Sequence, residues 1–229
     1  YLMKIITVLF APSFRVFMRT AAMIFGLNLV LLPAFAQELY FKTGMNATTY
    51  EYRNPSGVKL TDFLPATGSS YEFGFEFPFI KTEQTYPPLV KQVKNQVSLT
   101  LEELNGASGD KLTSYRSETR FIGFANRLSF LGTAGPLELG ITGLAGIATL
   151  LSGTQTFNTS LVDLRESADF KSGFFRYGLG FSTAYGRLDI ARLSLSYEFS
   201  KHHRLNKEFE EKLNFLTHSI LIGVHIPLN

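Results

Sequence analysis

The sequence predicts an all-β fold, an up-and-down antiparallel transmembrane β-barrel of about eight strands, and three observations predict it. Apolar and polar residues alternate with period two in successive segments of about ten residues. The composition favours strands and tight turns, with 22 Phe, 10 Tyr and 19 Gly beside no Trp and no Cys. The links between segments alternate between short and long, as expected when one end of a barrel is made of turns and the other of loops.

The first 36 residues stand apart. Arg15 and Arg19 precede an apolar run from Thr20 that ends in the small-residue pattern Ala34-Phe35-Ala36, the arrangement of a secretory signal peptide starting at Met18 or Met3. The run of about 17 residues is short for a membrane anchor, and the absence of Cys excludes a lipoprotein anchor, disulfides and thiol chemistry. The barrel is therefore expected over residues 37–229. Three of the 22 basic residues, Lys4, Arg15 and Arg19, fall in the leader, so the remainder equals the 19 acidic residues. The formal +3 charge of the whole chain thus belongs to the leader and is no footprint of nucleic-acid binding.

Strands are expected at Leu39–Tyr50, Ser69–Phe79, Asn95–Leu104, Ser114–Leu131, Pro136–Leu151, Phe170–Thr183, Leu188–Ser200 and Asn214–Pro227. Tight turns are predicted at Gly132–Gly135 and Ala184–Arg187. The alternate links, Glu51–Gly68, Asn105–Thr113, Gly153–Asp169 and Lys201–Leu213, are longer and polar. The link Ile80–Lys94, with Pro87-Pro88, is long for the turn end. Charges at Arg116, Glu118 and Arg120 imply that the fourth strand outgrows the bilayer.

The faces of the strands carry the central expectation. In the second strand Tyr71, Phe73, Phe75 and Phe77 oppose Glu72, Gly74 and Glu76; in the sixth, Phe175, Tyr177 and Phe181 oppose Arg176 and Gly180. In the seventh, Leu193, Leu195, Tyr197 and Phe199 oppose Arg192, Ser194 and Glu198. A membrane barrel turns the aromatic rows to lipid and encloses the other face. That places Lys42, Arg127, Arg176 and Arg192 in the lumen with Glu72, Glu76, Glu102, Glu138 and Glu198, and an eight-stranded lumen is filled by such side chains. Since an unmatched enclosed charge is costly, these groups are expected to pair across the lumen. A soluble lipocalin-like ligand-binding barrel explains the same alternation with the opposite orientation, aromatics inward.

Catalytic and metal patterns are weak. His202 and His203 are adjacent on a strand and point apart, as do His218 and Ser219, so neither a metal pair nor a hydrolytic dyad is expected. No cofactor motif is present, because Gly178 and Gly180 precede no helix. A lipid-modifying barrel enzyme and a narrow transporter are the alternatives to a structural or interaction barrel.

The leader ending AFAQ, the opening strand ELYFKTGMN, the row YEFGFEFPF and the closing strand HSILIGVHIPLN together resemble the small outer-membrane β-barrel proteins of Bacteroidota, with OmpA- or OmpX-like architecture. The resemblance implies residence in the outer membrane, contact with its lipid and insertion by the barrel-assembly machinery. It also implies a structural or PorT-like secretion-related role through a protein partner at the outer loops. The ending Pro227-Leu228-Asn229 lacks the terminal aromatic of proteobacterial barrels.

Overall fold

In a computed structural model the described residues are 38–53, 59–60, 63–81, 90–108, 115–134, 136–157, 160–167, 170, 173–187, 190–205 and 212–228. Residues 1–37, where the leader is expected, lie outside them, as do residues 206–211 of the charged link after the seventh predicted strand. Eight long strands form the wall: β1 (Glu38–Arg53), β3 (Phe63–Lys81), β4 (Gln92–Glu103), β6 (Tyr115–Ala134), β7 (Leu137–Phe157), β9 (Phe174–Arg187), β10 (Ala191–Arg204) and β11 (Lys212–Pro227). Among the described residues three short strands, β2 (Lys59–Leu60), β5 (Gly106–Ser108) and β8 (Ser160–Asp163), extend the loop end.

Each long strand pairs antiparallel with its sequence neighbour, and β1 pairs with β11, so the sheet closes on itself and leaves no long edge. The stagger is readable from the register. Pairs run from Phe41 through Phe73, Leu99, Phe124, Ile147, Phe175, His203 and Asn214 back to β1 at Glu51, ten residues beyond the start. With a rise of about 3.3 Å and strands about 4.8 Å apart, that shift over eight strands sets a tilt of about 41° and a radius of about 8 Å. Such a bore is filled by side chains from its own wall.

Several boundaries differ from those expected. The turn after β9 lies beyond Arg187, because Ala184–Gly186 continue the ladder opposite Arg192–Ser194; Gly186 takes a φ of 143° there, open to glycine but strained for other residues. Strand β9 starts at Phe174 rather than Phe170, which lies in the preceding loop and packs into the barrel. Bulges fall between Pro78 and Ile80 and between Arg120 and Phe121, the latter shifting the register of β7 near Leu151. In the loop after β8, Arg165 closes a turn by donating backbone and side-chain hydrogen bonds to Asp163 at 2.9 and 2.5 Å. This pairing holds the Asp163 carboxyl below its ordinary range.

Candidate functional site

Inward-pointing residues build a stack of ionic layers. At the turn end, Glu38, Glu76 and Glu138 surround Lys94 and Arg192: Lys94 Nζ lies 2.8 Å from Glu76, Arg192 donates to Glu76 at 2.9 Å, and Arg192 also contacts Glu38 and Glu138. In the middle, Arg127 donates two parallel bonds to Glu198, at 2.9 and 3.0 Å, and a third to Glu72 at 2.5 Å. Tyr40 donates to the same Glu72 oxygen at 2.6 Å, and Lys42 donates to Gln96 at 3.2 Å. Toward the loop end, Arg176 contacts Glu102 at 2.7 Å, and His202 Nε2 lies 3.3 Å from the other Glu102 oxygen.

All nine predicted luminal residues, Lys42, Glu72, Glu76, Glu102, Arg127, Glu138, Arg176, Arg192 and Glu198, lie buried on this inward face. The structure adds Glu38, Lys94 and Arg204 to them. Six carboxylates thus face six Lys and Arg side chains among the described residues, and the enclosed charge cancels. Alternation alone would have placed the three additions, because each lies on the inward phase just outside the strand limits drawn from the sequence.

Glu38, Glu76 and His225 bring potential metal-ligand atoms within 4.8 Å of one another. Lys94 and Arg192 already sit against the same carboxylates, so a divalent ion would stand beside two fixed cations in a lumen that is already neutral. The donor set fits ion pairing better than a metal. His202 is buried while His203 is exposed, and His218 is exposed while Ser219 points inward, so both adjacent pairs are split across the wall.

One feature of the lumen departs from the expected wholly polar filling. Above the ionic layers Tyr50, Leu104, Phe121, Phe174, Leu213 and Phe215 form an apolar plug inside the loop end, with Leu164 and Phe170 contributed by the β8–β9 loop. The Phe215 ring lies 4.6 Å from Tyr50 and 5.2 Å from Phe174, and Tyr50 donates to the Leu104 carbonyl at 2.9 Å. At the same level the outer surface turns polar: Arg116 meets Glu118, Arg120 meets Glu103, and Lys201 meets Glu51. The wall is therefore apolar-out where it crosses the bilayer and apolar-in where it rises into water.

The outer surface completes the inversion. Tyr71, Phe73, Phe175, Tyr177, Phe181, Leu193, Leu195, Tyr197 and Phe199 are all exposed, and Phe75 and Phe77 are half-exposed on the same face. With Ile141, Ile147, Ile220, Ile222 and Ile226 they make an apolar belt, broken on β6 by the exposed Asn126, around a charged interior. A belt this extensive is stable only against hydrocarbon, so the lipocalin-like orientation fails. The fold is that of a small outer-membrane β-barrel.

Solved structures of similar architecture are outer-membrane proteins. Neisserial surface protein A is 14% identical, with 83% of this chain and 97% of that chain covered and a TM-score of 0.44. The outer membrane protease OmpT from Escherichia coli is 7% identical, with 84% and 97% covered and a TM-score of 0.45. The outer membrane protein OprG from Pseudomonas aeruginosa is 12% identical, with 85% and 97% covered and a TM-score of 0.34. Likeness at this level carries neither activity nor membrane placement, and the latter rests on the barrel's own inverted polarity. No family model and no curated protein matches the chain, and the solved structures give no support to the Bacteroidota or PorT-like assignment.

Proposed function

We propose that the protein is an integral barrel of the bacterial outer membrane with a sealed lumen, and that it acts as a structural or partner-binding element through its loop end. The observation that carries this reading is the double closure of the bore. A stack of paired carboxylates, Lys and Arg occupies the membrane-spanning length, and an aromatic plug lies above it. A bore of about 8 Å radius measured at the backbone is just wide enough for such side chains to fill. The surface available to a partner is the loop end, where Leu64, Leu161, Val162 and Leu205 stand exposed beyond the belt, Leu161 at 71%. Insertion would use the barrel-assembly machinery, and the belt would contact outer-membrane lipid.

Reconstitution into planar bilayers tests the seal. The expected result is no steady conductance; sustained ionic current would refute the closed-lumen reading. A photo-crosslinker placed at Leu161 in intact cells tests the partner role against the same probe at Phe73. A discrete protein adduct specific to the Leu161 site is expected, and lipid-only or equal labelling at both positions would count against it.

A further inference from the structure

We propose that Tyr197 and His218 form a headgroup site on the outer wall that binds a phosphate-bearing lipid of the outer leaflet. The inference rests on the membrane-barrel reading, because it requires that this wall face lipid.

The first argument is depth. Ten residues separate His218 on β11 from Leu228, one residue past its end, and at a tilt of about 41° they rise about 25 Å along the barrel axis, the height of the apolar band of such barrels. Between them the outward residues are Ile220, Ile222, Val224 and Ile226, all apolar and exposed. Two residues beyond Phe199, which is paired with His218, Lys201 bridges to Glu51 at 2.6 Å. His218 therefore stands at the upper edge of the belt, where acyl chains give way to headgroups.

The second argument is the proton inventory of the ring. His218 Nδ1 lies 2.7 Å from the Tyr197 hydroxyl. With the phenol as donor, Nδ1 is the acceptor and the ring proton sits on Nε2. No described side chain accepts from Nε2. A donor without a partner on the lipid face is costly in hydrocarbon, and at this depth the available acceptors are lipid oxygens.

The third argument selects phosphate among them. Lys201 shares the outward face of β10 with Tyr197 and Phe199 and is the diagonal cross-strand neighbour of His218, at about 7–8 Å. A phosphoryl oxygen held by Nε2–H would come within reach of that ammonium, which gives one N–H to Glu51 at 2.6 Å and keeps others to offer; a phosphate, with several oxygens, can take both donors where an ester carbonyl takes one. The Phe199 ring, 5.0 Å from the imidazole, packs beneath as an apolar floor for the first part of the lipid chains. Ser219 points inward on the other side of the wall, so the site has no adjacent serine nucleophile and holds a lipid without cleaving it.

The phosphate can come from a glycerophospholipid or from lipid A, and the experiment separates the two. The full barrel, with histidine labelled with nitrogen-15, is placed in dodecyl maltoside micelles, which carry no phosphate. Dioleoyl phosphatidylglycerol or bisphosphorylated lipid A is then added. The expected result is a saturable shift of the His218 Nε2 resonance with one or both lipids, the stronger identifying the source. Apparent affinity should fall about tenfold in His218→Phe and several-fold in Tyr197→Phe, the loss of one hydrogen bond in each case. Native mass spectrometry should find one fewer retained lipid on His218→Phe, and His218→Gln, which keeps a donor, should recover part of the binding. No Nε2 response to either lipid, or equal lipid retention by wild type and His218→Phe, would overturn the site. Contacts between the Ile222 methyls and detergent chains report the orientation separately. Their absence would bring down the membrane reading itself, whereas their presence with a silent His218 would bring down only the site.

Discussion

Replacing Arg127 by methionine is the sharpest probe of the enclosed ionic stack. The guanidinium is 1% exposed and makes four hydrogen bonds, two parallel ones to Glu198 at 2.9 and 3.0 Å, one to Glu72 at 2.5 Å and one to Ser98 at 3.2 Å. Methionine approximates the stem and removes the charge. Glu198 would then keep only the Arg176 contact at 3.5 Å, and Glu72 only the Tyr40 hydroxyl, in a lumen carrying one uncompensated negative charge. Stranding one member of a buried pair costs about 3–5 kcal/mol, or roughly two to three and a half decades in the unfolding constant. With a denaturant dependence of about 1–3 kcal/mol per molar urea, the unfolding midpoint should fall by about 1 M or more. The assay is reversible unfolding in lipid vesicles followed by far-ultraviolet dichroism and gel mobility, since the chain has no Trp to report by fluorescence. Adding Glu198→Gln to the variant restores neutrality and should return about half of the loss, so the two substitutions are less than additive. An unchanged midpoint for Arg127→Met, or full additivity in the pair, would refute an enclosed and matched interior.

Other perturbations probe the belt, the packing and the plug. Leu195→Arg, about 10 Å below the upper edge of the belt by the same rise and tilt, should cost about 2–4 kcal/mol in vesicle unfolding, whereas Leu228→Arg at the margin should cost about 0–1 kcal/mol; equal costs would deny the placement. At Gly74 a Cβ would collide with the Val97 carbonyl and lie 2.8 Å from the Tyr40 hydroxyl. Gly74→Val should therefore lose about 1–3 kcal/mol, with a smaller loss in a Tyr40→Phe background. Phe215→Ala should cost about 3–5 kcal/mol in the same assay and still give no conductance, because the ionic layers beneath remain; current through this variant would mean that the plug alone seals the bore.

How much of this was legible in the sequence follows from what period two can and cannot carry. Alternation fixes relative phase, so it put Glu72 with Glu76 and Phe73 with Phe75 on opposite faces, and the aromatic row then chose which face meets lipid. It does not fix where a strand ends. Glu38 and Lys94 each lie one residue before the expected starts at Leu39 and Asn95, and Arg204 lies past the expected end at Ser200. Without these three, four Lys and Arg side chains stand against five carboxylates.

The plug was hidden for a deeper reason. Phe121 and Phe215 sit on the same inward phase as Arg127 and Ser219, so alternation placed them in the lumen without saying that the lumen changes character along its length. What changes is the solvent outside. Below the level of His218 the wall faces hydrocarbon, and the inward phase holds charge. Above it the wall faces water, and the inward phase turns largely apolar, with Arg204 the charged exception among the described Lys, Arg, Asp and Glu side chains. The signal for that reversal is in the outward residues: Arg116, Glu118 and Arg120 on β6 and Lys201 on β10 mark the height at which the bilayer ends, and the inward phenylalanines Phe121, Phe174 and Phe215 begin at the same height. Read together, the two phases of one strand locate the membrane surface, whereas either phase alone locates only the wall.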